Sequence, residues 1–167
     1  MIKLIVCIDL DGNIGYKNQL LFNIKDDMAF FKKQTTGHIV LMGYNTYESL
    51  GCKGLPNRFN LVLTSRELEP AKNVCAVKSL NGTIEEYKDN NIRKDLFIIG
   101  GASVYNQAIA DRLPDEILLT VVDAHAEEAD TAIDMKSLRK RYKKVEEIDI
   151  ISDDDYAATI EKWIRRN

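Results

Sequence analysis

The sequence predicts an α/β domain in three layers: a central mixed sheet of about eight, mostly parallel strands, with helices on both faces and a C-terminal antiparallel hairpin. Over the first two-thirds of the 167 residues, short and nearly continuous apolar runs alternate with helical patterns, which is typical of parallel strands covered on both faces. Segments 144–151 and 156–164 instead alternate polar and apolar residues around a turn at 152–155, which indicates a hairpin. We expect a single domain over residues 1–167.

Each expected strand is a short apolar run bounded by glycine, asparagine or a charged residue, and the helices lie between strands. A turn at 11–13 and an irregular connection at 15–23 separate the first strand from the first helix, and connections of that length are often functional. The strands are expected at 2–10, 38–43, 58–64, 75–77, 95–101 and 115–122, followed by the two hairpin segments. The helices are expected at 23–33, 44–50, 80–88 and 102–110.

Composition excludes several classes of function. With 45% hydrophobic and 29% charged residues and a net charge of −3, the chain has no basic field for nucleic acid or anionic lipid. Its apolar runs are too short to span a bilayer, and its first residues lack the features of a signal peptide. The three cysteines, Cys7, Cys52 and Cys75, form no CxxC pair, so they do not indicate a disulfide framework. The sequence has only two histidines, His38 and His125, which argues against a metal site. We expect buried thiols, no metal and a cytoplasmic protein.

The first helix carries two acids in its first turn, Asp26 and Asp27. Asn23 is the expected N-cap, and Lys32 and Lys33 lie near the end of the helix. Acids at a helix start often do no more than offset the helix dipole. This pattern alone therefore favours a structural role for both acids.

Asp27 differs from Asp26 in its expected neighbours. On a 3.6-residue repeat, Ile24, Met28 and Phe31 form one apolar stripe, and Asp27 lies beside that stripe while Asp26 points elsewhere. A carboxylate among apolar side chains is partly desolvated, which raises its pKa and favours a cationic or doubly donating partner.

Two strand-to-helix corners contain glycine: Gly43 precedes the helix at 44–50, and Gly100-Gly101 precedes the helix at 102–110. Glycine lets the backbone approach a ligand closely, and the N–H groups at a helix start bind phosphate. Neither corner matches GxGxxG or the P-loop pattern, and the glycines could simply make tight turns. The residues alone indicate an α/β domain and leave both a nucleotide site and plain structural corners open.

A set of short motifs, each weak alone, occurs in a specific order along the chain. The motifs are Ile14-Gly15 with Asn18 and Asn23; Asp27-Met28 with Phe31-Lys32; Met42-Gly43 with Thr46 and Glu48-Ser49; Leu55-Pro56-Asn57-Arg58-Phe59-Asn60; Ile98-Ile99-Gly100-Gly101-Ala102-Ser103-Val104-Tyr105; Leu119-Thr120; and Asp130-Thr131. With these motifs, the chain resembles the dihydrofolate reductase family from Met1 to about residue 165.

The resemblance implies reduction of 7,8-dihydrofolate to tetrahydrofolate by NADPH, with hydride transfer to pterin C6 and protonation of N5, in one-carbon and thymidylate metabolism. It also implies a monomer that binds antifolates such as trimethoprim or methotrexate. Two alternatives stay open: the pyrimidine reductase of riboflavin synthesis, which shares the fold, and a non-catalytic folate-binding or assembly protein.

For the substrate, the resemblance implies that Asp27 accepts paired hydrogen bonds from the pterin 2-amino group and N3, supported by Thr120, while water delivers the proton to N5. Phe22 belongs to the same catalytic group. Arg58 would grip the α-carboxylate of the folate tail. The remaining substrate residues implied by the family are Ile5, Met28, Phe31, Lys32, Leu50 and Ile99.

For the cofactor, the resemblance places Cys7 and Ile14 beside the nicotinamide, adds Gly15 to the cofactor-binding residues, and implies a cis Gly100-Gly101 bond at the pyrophosphate corner. The other cofactor residues implied are Gly43, Tyr44, Asn45, Thr46, Leu63, Thr64, Ser65, Arg66, Ala102, Ser103, Val104, Tyr105 and Gln107.

Three positions depart from the family pattern. Leu21-Phe22 replaces the usual Pro-Trp, so the aromatic ring stays but the indole N–H is lost. Tyr44 replaces an arginine that often binds the 2′-phosphate of the cofactor, and Arg66 with Thr64 and Ser65 is expected to take over that task. Gly54 marks one extra residue in the loop before Leu55.

Overall fold

The computed structural model describes all residues, Met1–Asn167. Most elements begin and end within two residues of the expected bounds, because apolar runs and glycine corners mark their ends well. The strands are β1 (Ile2–Ile8), β2 (Asn13–Tyr16), β3 (Gln19–Leu20), β4 (Ile39–Gly43), β5 (Phe59–Leu63), β6 (Val74–Val77), β7 (Leu96–Ile98), β8 (Glu116–Val122), β9 (Thr131–Ala132), β10 (Tyr142–Ser152) and β11 (Ala157–Arg165). The helices are α1 (Lys25–Thr35), α2 (Tyr44–Ser49), α3 (Leu80–Asp89), α4 (Ala102–Ala110) and α5 (Met135–Arg141).

Eight strands form one sheet in the order β10-β11-β8-β1-β7-β4-β5-β6. β1 runs parallel to both of its neighbours, β7 and β8, and parallel pairing continues through β4, β5 and β6. The C-terminal hairpin is antiparallel, since β11 pairs with both β8 and β10 in that sense. The expected mixed sheet with its terminal hairpin is therefore confirmed.

Helices cover both faces of the sheet. On one face, Leu4 of β1 packs in a cluster with Ile84 of α3 and Ala108 of α4. On the other face, the neighbouring Ile5 lies in a second cluster, against which Phe31 of α1 packs. Successive residues of a strand point to opposite faces, so one central strand supplies both cores, and the three-layer arrangement is confirmed. None of the helices is both long and apolar enough to span a membrane.

The connection expected to be irregular at 15–23 contains regular structure instead. β2 pairs with β3 and with the distant β9 in a second, three-stranded sheet. The expectation was wrong because strands this short carry little periodicity and form only through pairing with a segment far along the chain. α5 was also unexpected; Asp134 caps it by accepting a hydrogen bond from the Ser137 N–H.

Three local expectations were also wrong. β1 ends at Ile8 and not at residue 10. Ile24, not Asn23, occupies the N-cap position of α1, and no side chain caps that helix. Cys52 and Cys75 are exposed rather than buried, because Cys52 lies in a left-handed turn after α2 and Cys75 lies on the edge strand β6.

Candidate active site

A carboxylate faces the carboxyl-terminal part of the central strands. Cys7 and Thr120 are direct partners in the parallel pairing of β1 and β8, so their side chains share one face of the sheet. Asp27, on the first turn of α1, lies over that face, and the Thr120 hydroxyl donates a hydrogen bond of 2.6 Å to its Oδ1. The second oxygen, Oδ2, is not bonded to Thr120 and can accept hydrogen bonds from a ligand.

The pKa of the Asp27 carboxyl is raised because burial penalises its charged form, although hydrogen bonds from Thr120 and Cys7 act in the opposite direction. Burial also raises the pKa of the Cys7 thiol, and the nearby negative charge of Asp27 adds to that effect. The thiol is therefore protonated and can donate a weak hydrogen bond. Asp27 takes part in none of the ion pairs of the protein, and its carboxylate could accept hydrogen bonds from a ligand with N–H donors.

Apolar and aromatic side chains surround the carboxylate, but they do not form the closed stripe that the sequence predicts. Ile24 is fully buried, whereas Met28 is 44% exposed and Phe31 is half-buried. Met28 is therefore more exposed than an apolar side chain packed against the core would be. Leu50, which is 37% exposed, is likewise a large apolar residue in contact with solvent.

Four more of the expected site residues, Ile5, Ile99, Phe22 and Cys7, belong to or pack against two core clusters. Ile5 belongs to the second cluster, and half-buried Ile99 packs against it. Phe22 packs with Cys7 against a third cluster, and its ring meets that of Tyr156 edge-on with centroids 4.9 Å apart. Apolar walls around one carboxylate suit a flat heterocycle with N–H donors on one edge.

Arg58 is a buried cation without an anionic partner. It directly precedes β5, rather than lying just inside that strand, and is only 7% exposed. Its Nε donates to the Pro56 carbonyl at 2.9 Å, and its Nη1 donates to the Thr35 hydroxyl at 3.0 Å. Burial lowers the pKa of the guanidinium, and Arg58 takes part in none of the ion pairs of the protein. Its remaining N–H donors are suited to a carboxylate ligand.

Two residues that hold Arg58 were not assigned a role from the sequence. Thr35, fully buried, donates its hydroxyl to the Phe31 carbonyl at 2.8 Å and accepts from Arg58. Asn60, also fully buried, exchanges hydrogen bonds with both backbone groups of Leu55 and donates to the Arg58 carbonyl. A helical threonine and a motif asparagine carry no distinctive signal, and only the folded structure brings them together.

The two glycine corners, at Gly43 and at Gly100-Gly101, are in direct contact. The Gly43 N–H donates to the Gly100 carbonyl at 2.7 Å, and the Gly100-Gly101 peptide bond is cis. A Cβ on Gly43 would lie 3.1 Å from the Val104 side chain, and one on Gly101 would lie 3.5 Å from the Thr46 hydroxyl. A side chain at Gly43 would therefore press on Val104, whereas the space at Gly101 is that of an ordinary van der Waals contact.

The start of α4 is open to a ligand. Its N-cap, Gly101, offers no side-chain hydrogen bond, so the first N–H groups of the helix, at Ala102 and Ser103, have no intrahelical acceptor. Tyr105 is buried one turn further along, and its hydroxyl donates to the Ile5 carbonyl at 2.8 Å. This bond fixes α4 to β1, and burial raises the pKa of the Tyr105 hydroxyl.

Arg66 stacks on Tyr44, one of the residues that depart from the family pattern. The Arg66 guanidinium lies 4.4 Å from the ring centroid of Tyr44. The backbone N–H of Arg66 donates to the Thr64 hydroxyl at 3.0 Å. Ser65 is exposed and Leu63 is half-buried. Stacking leaves the guanidinium edge, with its N–H donors, free for an anion.

The other expected site residues fall into two groups. Ile14 and Gly15 lie on β2, where the Gly15 carbonyl accepts from the Asp130 N–H at 3.0 Å and ties this strand to the segment before β9. Four expected residues are exposed: Lys32, Asn45, Ser103 and Gln107.

Fold and site together define a class: an open α/β protein whose ligand cleft lies at the carboxyl ends of its parallel strands, as in nucleotide-dependent oxidoreductases. The family model for dihydrofolate reductase matches residues 1–165. The chain belongs to the dihydrofolate reductase family. The family match does not favour the pyrimidine reductase or the non-catalytic alternative.

Several relatives carry the same similarity. The chain is 37% identical over 115 residues to dihydrofolate reductase of Bacillus subtilis, which covers 68% of this chain and 66% of that one. It is 35% identical over 122 residues to dihydrofolate reductase of Staphylococcus aureus, covering 73% and 71%. A bifunctional dihydrofolate reductase-thymidylate synthase of Paramecium tetraurelia is 34% identical over 118 residues, 71% of this chain but only 25% of that protein.

Among solved structures, the chain is similar to dihydrofolate reductase from Enterococcus faecalis complexed with NADP(H) and RAB-propyl. The two share 29% of their residues, with a TM-score of 0.85, over 100% of this chain and 97% of the other.

Proposed function

We propose that this protein reduces 7,8-dihydrofolate to tetrahydrofolate with NADPH, with Asp27 as the electrostatic anchor of the pterin. The observation that carries the proposal is the geometry of Asp27: a half-buried carboxylate that accepts a hydrogen bond from Thr120 and takes part in none of the ion pairs of the protein. The protein works as a single domain over residues 1–167 and as a monomer in the cytoplasm.

Asp27 binds and polarises the pterin ring. Its Oδ1 is already engaged by Thr120, so Oδ2 and the remaining lone pair of Oδ1 accept the paired N–H bonds of the pterin 2-amino group and N3. The negative charge favours the cationic form of the ring and so assists protonation at N5, whose proton comes from water. Phe22, Phe31, Ile5 and the rim residues exclude bulk water from the ring.

The residues around the glycine corners fit a dinucleotide. The N–H groups at the start of α4 and the Thr46 hydroxyl can hold a pyrophosphate, and Cys7 and Ile14 form the apolar wall near the sheet for a nicotinamide. Bound NADPH supplies the hydride that reaches pterin C6. Arg66, stacked on Tyr44, receives the 2′-phosphate through its free N–H groups.

Arg58 binds the tail of the substrate. Thr35 and Pro56 fix one side of the guanidinium, and the other N–H groups pair with the α-carboxylate of the glutamate. Antifolates such as trimethoprim or methotrexate occupy the same pocket, since they present donors to Asp27 as the pterin does.

The test is NADPH oxidation in the presence of dihydrofolate, by the unmodified protein and by two variants of the same helix turn. Asp27→Asn keeps the shape but removes the charge, and we expect kcat/KM to fall by roughly 100-fold. Asp26→Asn is the matched control, because Asp26 is exposed, and should stay within about twofold of the unmodified protein. No oxidation by the unmodified protein, or equal effects of both variants, would contradict the proposal.

A further inference from the structure

Asp9 is a fully buried carboxylate that the reaction itself does not use. It follows β1, two residues after Cys7, and is 0% exposed. Its Oδ1 accepts from the N–H groups of Asp11 at 2.8 Å and Asn13 at 2.9 Å, and its Oδ2 accepts from the Asn13 side-chain amide and the Ala126 N–H, both at 2.9 Å. No cation pairs with it. Burial by itself would raise the pKa of Asp9, but these four donors outweigh burial and hold the pKa below its ordinary value.

The four donors come from two segments that border the cleft. Asp11 and Asn13 begin the loop that carries β2 and leads to Phe22, whereas Ala126 follows β8, the strand of Thr120. Backbone bonds join the same segments, since the Leu10 N–H donates to the Ala124 carbonyl at 3.0 Å. One carboxylate therefore lies at the joint between the loop over the cleft and the sheet beneath it.

The residue type fits this joint closely. An ionised carboxylate only accepts hydrogen bonds, and all four groups that face Asp9 are donors. An asparagine of the same size would turn its own N–H₂ towards two of them. Each buried N–H that loses its acceptor destabilises the local arrangement. Because one of the four donors, the Ala126 N–H, belongs to the segment after β8, the carboxylate also links the loop to the sheet.

We propose that Asp9 is a positioning residue, whose carboxylate holds the loop of residues 10–22 so that Ile14 and Phe22 border the cofactor and substrate pockets before any ligand arrives. This inference rests on the proposed function, because it takes NADPH as the ligand beside Ile14. If the loop is already ordered, NADPH binding does not have to order it. Loss of Asp9 lowers the population of the binding-competent loop, and the apparent Kd rises in proportion.

The experiment compares Asp9→Asn with Asp11→Asn. Asp11 lies on the same turn but is exposed, and its carboxylate only pairs with exposed His125, so its loss leaves the Asp9 bonds in place. We expect Asp9→Asn to raise the Kd for NADPH about tenfold and to speed amide exchange of residues 10–22 in the ligand-free protein. Asp11→Asn should change neither by more than about twofold. The Kd for dihydrofolate should rise by less than that for NADPH, because Phe22 is the one loop residue at the substrate pocket while Asp27 and Arg58 lie on other elements.

A rescue variant separates positioning from general stability. Asp9→Asn combined with Asn13→Asp returns a carboxylate to the joint and should recover part of the NADPH affinity. Unchanged NADPH affinity and loop exchange in Asp9→Asn would overturn the inference, as would equal losses of both ligands with faster exchange throughout the sheet. Failure of the unmodified protein to bind NADPH would instead overturn the proposed function, and the exchange of the ligand-free loop would still decide the role of Asp9.

Discussion

The candidate site contains two charged side chains of opposite sign, half-buried Asp27 and buried Arg58, and they are held in different ways. Asp27 is held from the sheet by Thr120, beside a protonated thiol, and burial raises its pKa. Arg58 is held by a backbone carbonyl and the Thr35 hydroxyl at the edge of the cleft, and burial lowers its pKa. Neither has a counter-charge in the protein. This difference supports the proposed division of labour, in which Asp27 would act on the ring that reacts and Arg58 on the tail that does not.

The largest expected effect of a change on the tail side comes from Arg58 itself. Arg58→Gln removes the charge but keeps hydrogen-bonding groups, and we expect the KM for dihydrofolate to rise roughly 100-fold, as for the loss of a charge-assisted bond of about 1.5–3 kcal/mol. The kcat should fall by less than about threefold, because the tail takes no part in the chemical step. Steady-state kinetics at saturating NADPH measure both quantities. A fall in kcat as large as the rise in KM would break the comparison.

Exposed Arg66, which we propose binds the cofactor, can be compared with buried Arg58. Arg66→Gln should raise the KM for NADPH about tenfold, since an exposed contact with a phosphate is weaker than a buried one. The KM for NADH, which lacks the 2′-phosphate, should hardly change. A matched rise for both cofactors would show that Arg66 does not bind that phosphate.

A smaller effect on the KM for dihydrofolate is expected at Thr35, which contacts Arg58 and not the ligand. Thr35→Val removes the hydroxyl that accepts from Arg58 and should raise the KM for dihydrofolate about fivefold, with kcat unchanged, because Thr35 acts on the substrate only through the orientation of Arg58. Thr36→Val is the matched control, since the Thr36 hydroxyl donates to the carbonyl four residues earlier, as that of Thr35 does, but is exposed. Equal KM values for the two variants would mean that Thr35 does not orient Arg58.

The smallest expected effect is on stability. The raised pKa of Asp27 means that the folded state binds a proton more readily than the unfolded chain, so the stability of the ligand-free protein falls as pH rises through that pKa. Asp27→Asn lacks this penalty and should melt about 1–3 °C higher than the unmodified protein near neutral pH. The difference should vanish below about pH 3, where both states of the carboxyl are protonated. A variant less stable at neutral pH would contradict the assigned burial effect.

The sheet was predictable because its signals are local. Apolar runs such as that of β4 and the glycines at positions 43 and 100 mark strands and corners without knowledge of their partners. The sheet of β2, β3 and β9 was not, because its short strands are stabilised by pairing between distant segments. The same distinction applies to the site. Motif resemblance singled out Asp27 and Arg58, whereas Thr35 and Asp9 have a role only through contacts that folding creates.

The division of labour between the two charges is tested most directly with a dihydropterin that lacks the glutamate tail. The value of kcat/KM for this substrate, with NADPH, should be the same for Arg58→Gln and the unmodified protein within about twofold, and roughly 100-fold lower for Asp27→Asn. With dihydrofolate, both variants should be strongly impaired. If Arg58→Gln lost as much activity on the tail-less substrate as on dihydrofolate, Arg58 would act on the ring or on the fold, and the account would be wrong.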